Sequence, residues 1–159
     1  MLTKYLSKGD RMTMEELRIL LNNSDVDFEI LQNEKPILSV NDALGFYEIC
    51  ETAPTIIIKS EKGYFALLLS GDRGRIDFKQ IKKILQCKNV RMASEDEVLE
   101  TIGFEAGSVP MVGHHLPCVL DHHLLNYPYV YGGVGDVNFT LKINPRDLIK
   151  VNDIVAGID

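Results

Sequence analysis

The sequence has no apolar run near the ~20 residues that a membrane-spanning helix requires, and Met1 to Arg11 is charged and polar, without the apolar stretch of a secretory signal. A cytoplasmic protein is therefore expected. Cysteine is scarce: Cys50, Cys87 and Cys118 are odd in number, widely spaced and never in a C-x-x-C pair, which argues against both a disulfide framework and a cysteine zinc knuckle. They read as buried thiols. Positive charge is also short. A net charge of −6 argues against coating nucleic acid by bulk electrostatics, which needs many Lys or Arg contacts to phosphate, so any nucleic acid must meet a local basic patch. There is no repeat and no low-complexity linker, and 159 residues at 45% hydrophobic content suffice for one domain with a full core.

What is present alternates between helix and strand signals. Thr13 followed by Glu16 forms a capping box before Leu17, Leu20 and Leu21, which recur at helical spacing. Phe28, Ile30 and Gln32 alternate as a strand, and Ser39 with Asp42 opens a second helix expected to carry Ala43, Leu44, Tyr47 and Ile49. "PTIIIKSEKGYFALLLSGD" reads as two β-rich runs joined by a Ser-Glu-Lys-Gly turn, a hairpin expected to be central. Asp77 caps the basic amphipathic segment "DFKQIKKILQ", and Ser94 to Glu97 is another capping box, ahead of a helix stopped by Gly103. Strands are expected around Cys118 to Leu120, in "YVYGG" and in "NFTLKI", with Asn144-Pro145 opening a last short helix. Hairpins mixed with helices predict an α+β fold, a single domain whose mixed or antiparallel β-sheet is surrounded by helices.

Residues 104–125, "FEAGSVPMVGHHLPCVLDHHLL", concentrate the chemistry. His114, His115, His122 and His123, with Asp121 or Cys118, could ligate zinc, but adjacent histidines point apart and the H-E-x-x-H spacing is absent. Hydrogen-bonded or surface histidines, and no metal or other cofactor, are the expectation. Cys118 beside a histidine could act as a nucleophile, yet inside the apolar "PCVLD" a core thiol is the simpler reading. Ser108 lacks the G-x-S-x-G elbow of a hydrolase triad. A remaining reading gives the work to the backbone: a Gly-Ser-Val-Pro turn followed by Gly113 can hold N–H groups in a concave arrangement fit for a carbonyl oxygen or oxyanion. The cluster "YGGVGD" lacks the G-x-G-x-x-G spacing and reads as a turn or bulge rather than a dinucleotide site.

The order of "LLLSGD", "DFKQIKKIL", "VRMASEDEVLETIGFEAGSVPMVG", "LPCVLD", "YVYGGVG" and "INPRDLIKV" resembles the YbaK/ProX family of aminoacyl-tRNA deacylases and the editing domain inserted in bacterial prolyl-tRNA synthetases. The resemblance spans about residues 27 to 155 and implies two segments, an N-terminal helical one over 1–25 and the editing-like domain over 26–159. It further implies hydrolysis of the ester joining a wrong, small amino acid to the terminal ribose of a tRNA, with tRNA(Pro) a candidate. The glycine-rich loop would bind the aminoacyl carbonyl through its backbone, and a ribose hydroxyl of the tRNA would help to place water. Gly107, Ser108, Val109 and Pro110 are then the catalytic loop, and Pro54, Thr55, Met111, Gly113, His114, Asp121, Gly132 and Gly133 the substrate-binding set. The partners implied are the acceptor end of an aminoacyl-tRNA and, secondarily, an aminoacyl-tRNA synthetase; no membrane is involved. Lys79, Lys82 and Lys83, with Lys88 and Arg91 beyond them, are the densest basic stretch and the candidate tRNA contact, although a solvated helix face has the same pattern.

Two positions depart from the family pattern. Pro54 stands where the family has a lysine before the first hairpin strand, and Met111 replaces a loop proline while Pro110 is kept. Lys59 cannot substitute for the missing lysine, because an odd number of residues along a strand turns a side chain to the other face. An alternative function follows from Pro54: a catalytically silent homologue that binds tRNA or a small aminoacyl-like ligand.

Overall fold

The structure is a computed structural model and describes residues 11–159. The part of the expected N-terminal segment at 1–10 lies outside the described residues. α1 (Met14–Asn23) begins at the Thr13 capping box, with both reciprocal hydrogen bonds formed, and buries Leu17 and Leu21. β1 (Phe28–Gln32) follows, then α2 (Val40–Ala43), β2 (Thr55–Ser60) and β3 (Gly63–Leu68). α3 (Phe78–Leu85), β4 (Val90–Met92) and α4 (Glu95–Ile102) form the middle of the chain, and β5 (Pro117–Asp121), β6 (Val130–Gly132), β7 (Phe139–Ile143), α5 (Leu148–Val151) and β8 (Asp153–Ile158) complete it.

These strands make two sheets, an α+β arrangement. A mixed five-stranded sheet has the order β4-β2-β3-β5-β8, and an antiparallel three-stranded sheet has the order β1-β7-β6. The β2–β3 hairpin closes through Glu61 and Lys62 and sits inside the larger sheet, as the turn signal and the continuous apolar runs require. β5 joins β3 in parallel and β8 joins β5 in parallel. Side-chain alternation divides the core between the two faces of this sheet. Ile57, Ala66, Leu68, Cys118 and Leu120 face one way, towards α1, α4 and the smaller sheet's Val130, Leu141 and Ile143. Ile58, Leu67, Val119 and Ile158 face the other way and are covered by Ile81 and Leu85 of α3.

Three features differ from the sequence expectation. α2 ends at Ala43 instead of running on to Ile49: Leu44 is already extended and Gly45 takes φ +95°, so Leu44, Tyr47 and Ile49 stand outside it. β4 has only three residues, two of them exposed, and shows no alternation to read. β8 contains Gly157, a weak strand former, but a Cβ there would lie 2.1 Å from the His122 ring, so close packing rather than propensity selects the glycine.

Candidate active site

A cavity of about 410 Å³ opens at the end of the β2–β3 hairpin away from its turn. One wall is the entry to β2 and the exit from β3, from Thr52 to Ile56 and from Leu69 to Gly71. The facing wall is Ala106 to Val109, with Tyr131 to Gly133 beneath it and the segment from Ile37 to Tyr47 closing a side. Gly107, Ser108, Val109, Pro54, Thr55, Gly132 and Gly133, which the family resemblance had grouped, all line this cavity. Pro110, Met111, Gly113, His114 and Asp121 do not line the cavity.

The loop is built from short-range contacts that use some of its donors. Ser108 N–H donates to Glu105 O at 2.9 Å, and Met111 N–H donates to Gly133 O at 3.0 Å. Pro110 has no N–H, and Val109 N–H meets no acceptor among the described residues. The Met111 side chain is fully buried against Gly132, where an added Cβ would come within 2.5 Å of its sulfur and 2.7 Å of Ala53 O. At Gly133 a Cβ would meet Val109 O at 2.4 Å. The glycine pair is therefore the seat on which the loop rests. Gly107 is different: its φ is not positive, and a Cβ would lie in ordinary contact with Leu38 O at 3.5 Å, so local geometry does not demand glycine there. Gly113 adopts φ +92° against Met12, a conformation costly for any other residue.

Asp121 supports the opposite wall. Its carboxylate accepts from Arg73 Nε at 2.7 Å, Arg73 Nη2 at 3.1 Å, Ser70 N–H at 2.9 Å and His123 N–H at 3.0 Å. Burial pushes its pKa up, but the Arg73 guanidinium and the two backbone donors outweigh that and hold it below the ordinary carboxylate value. Ser70, which lines the cavity, is fixed by this group, and its neighbour Gly71 is held by its own N–H donating to Thr52 O at 2.9 Å. Tyr47 and Tyr131 stack at 4.3 Å between ring centroids on the cavity wall. Burial raises the Tyr47 pKa, keeping it an O–H donor at neutral pH. Thr55 Oγ1 is buried without a hydrogen-bond partner among the described residues.

The other sequence candidates have separate surroundings. Cys118 is buried in the core and its thiol is pushed up to about 12, chiefly by burial, so it supplies no thiolate at neutral pH. His114 is buried, with Nδ1 accepting from Leu116 N–H at 3.1 Å and Nε2 without a partner among the described residues, and burial depresses its pKa to about 4. His115 is exposed, His122 pairs with Asp159 at 2.8 Å, and His123 lies beside Asp121. Among the described residues no three His, Cys, Asp or Glu side chains converge on one point. Lys59 pairs with Glu97 at 3.2 Å, away from the cavity, as the strand parity predicted. Lys79, Lys82 and Lys83 lie on α3, which covers the sheet face remote from α1 and α4; Arg91 is held by Glu97 at 2.7 Å. Sequence reasoning missed the tyrosine stack, Arg73 and Asp136. Arg73 sits in "SGDRGR" and Asp136 ends the "YGGVGD" cluster, but neither spacing announces a partner.

The family profile described as the aminoacyl-tRNA editing domain matches residues 35–151, which contain every residue lining the cavity. The chain belongs to this family. Among relatives, the proline–tRNA ligase of Fervidobacterium nodosum is 27% identical over 124 residues, 77% of this chain and 21% of that protein. The proline–tRNA ligase of Legionella pneumophila is 32% identical over 97 residues, 60% of this chain and 17% of that protein. The chain thus spans about a fifth of the length of these relatives. The crystal structure of a hypothetical protein superposes with a TM-score of 0.80 at 27% identity, covering 89% of this chain and 96% of the other. A crystal structure described as a candidate trans-editing enzyme for prolyl-tRNA synthetase gives a TM-score of 0.78 at 24% identity, covering 95% and 96%, and shares the fold. The glycine pair with the loop seated on it lies within the span of this editing domain, and no helix among the described residues is long and apolar enough to cross a membrane.

Proposed function

We propose that this editing domain hydrolyses the ester between a small, wrongly attached amino acid and the terminal ribose of a tRNA, with tRNA(Pro) the first candidate. The observation that carries this is the cavity itself: a seated glycine loop whose Val109 N–H meets no acceptor among the described residues, opposite a wall to which those residues contribute no Cys, His or Lys. The aminoacyl carbonyl would sit against the loop, where Val109 N–H stabilises the oxyanion formed when water attacks. The C–O bond to the ribose then breaks, the ribose oxygen leaves as a hydroxyl, and the products are free amino acid and tRNA. A neighbouring ribose hydroxyl would position the water, since the cavity wall offers hydroxyls but no strong base other than the carboxylate at its rim. The limited space and the apolar side wall favour a small side chain. Support for tRNA(Pro) as the carrier comes from the proline–tRNA ligases among the relatives. Lys79, Lys82 and Lys83 would steer the acceptor end.

Pro54 favours a second reading, in which a homologue without the family lysine binds the same ligand but does not cleave it. Release of amino acid from tRNA(Pro) charged with alanine or cysteine, and from tRNAs carrying serine or threonine, decides between them. Release that disappears in Gly107→Ala establishes the deacylase. Absence of release from every substrate, with binding intact, establishes the silent homologue and makes Pro54→Lys the rescue to try.

A further inference from the structure

Among the described residues, Asp136 is the one charged residue lining the cavity. Arg73, behind the Ser70 wall, is committed to Asp121, Lys59 is turned away from the cavity towards Glu97, and Pro54 brings no charge at all. A cavity whose single fixed charge is negative disfavours an acidic occupant and favours a cationic one. An aminoacyl ester carries one cation that all its side chains share, the α-ammonium group.

Asp136 is built for such a contact. Its Oδ1 accepts from Asn138 N–H at 2.9 Å, and its carbonyl accepts from Phe139 N–H at 3.1 Å, so the turn fixes the direction of the carboxylate. Gly135 precedes it at φ +90° and packs so tightly that a Cβ would lie 2.2 Å from the Phe104 ring, which ties the turn to the core. Oδ2 has no protein donor among the described residues and remains available to a ligand. The residue stands exposed at the rim, so the ligand meets it on entering.

We propose that Asp136 binds the α-ammonium of the aminoacyl group, and that the cavity therefore takes esters of amino acids with a free α-amine and an uncharged side chain. This rests on the proposed ligand class but not on cleavage, and the two separate experimentally. The probes are 3′-(L-alanylamino)-3′-deoxyadenosine, a non-hydrolysable amide, and its lactyl counterpart, in which a hydroxyl replaces the amine at nearly equal size. Titration calorimetry with the full chain is expected to give the alanyl form tighter binding on the order of tenfold, an exposed charge-assisted hydrogen bond being worth no more. Asp136→Asn, which retains the acceptor for Asn138 N–H, is expected to equalise the two ligands without lowering the unfolding temperature. Asp136→Glu, which retains the charge, is expected to keep part of the preference. Equal binding of both probes by the unmodified protein, a preference that survives in Asp136→Asn, or binding of neither probe would overturn the assignment. Hydrolysis of charged tRNA is read in parallel: release without an amine preference leaves the deacylase and removes the role of Asp136, whereas an amine preference without release does the reverse.

Discussion

His114 shows what a single buried imidazole does to the pH response of the fold. Burial first, and the neighbouring His115 second, lower its pKa from the ordinary 6.5 to about 4. Between those values the unfolded chain binds a proton that the folded protein refuses, so stability is complete above about pH 6.5 and falls as the pH drops towards 4. Urea unfolding at pH 7 and pH 4.5 is expected to differ through this group by about 2–3 kcal/mol. His114→Asn, whose Oδ1 can replace Nδ1 as acceptor for Leu116 N–H, is expected to flatten that difference. Gly107 makes the converse point. Its backbone conformation is open to alanine, so Gly107→Ala is expected to hold or raise the unfolding temperature, by the equivalent of about 0.4–1 kcal/mol, through loss of unfolded-state freedom. The same methyl projects towards Leu38 across the cavity rim, and amino-acid release is expected to drop at least about tenfold, as a displaced carbonyl loses its donor.

Two elements hold the cavity walls, and each can be disturbed separately. Gly133 carries the loop: its carbonyl accepts from Met111 N–H, and its missing Cβ admits Val109 O. Backbone cannot yield as a side chain would, so Gly133→Ala is expected to cost about 1–3 kcal/mol in thermal unfolding and to abolish release. Asp121 at the end of β5 carries the other wall through Ser70 and Arg73. Asp121→Asn removes the charge and gives one side of the group to an amide that cannot accept, leaving a part-buried guanidinium underpaired. Chemical denaturation is expected to show a loss of about 3 kcal/mol, with KM for charged tRNA raised as Ser70 and Gly71 shift. Hairpin, caps and glycine stops could be read directly because their signals are local: the Thr13 and Ser94 capping boxes and the Gly103 terminus are all formed. α2 and β8 were misjudged or missed, since tertiary contacts of Tyr47 and Gly157 override what the local pattern says.

At the scale of the whole molecule, the sheet separates two faces with different chemistry. The cavity draws its loop from the side shared with α1 and α4, while the basic helix α3 covers the other. If α3 guides a tRNA, replacing Lys79, Lys82 and Lys83 together by glutamate is expected to raise KM for charged tRNA and leave kcat unchanged. The slope of log binding against log salt should fall in magnitude by about 2–3, the contribution of three phosphate contacts, with hydrolysis of a short aminoacyl-adenosine ester unaffected. The sequence alone determined the α+β class, the hairpin, the capped starts of α1 and α4 and the family, because capping boxes, apolar runs and glycine stops act within a few residues of themselves. Tertiary structure alone decided that Met111 is a buried prop, that Asp121 holds Arg73 and Ser70, and that Asp136 reaches the cavity rim. Those facts depend on which distant segments meet, and burial and electrostatic pairing exist only after the two sheets have closed on their common core.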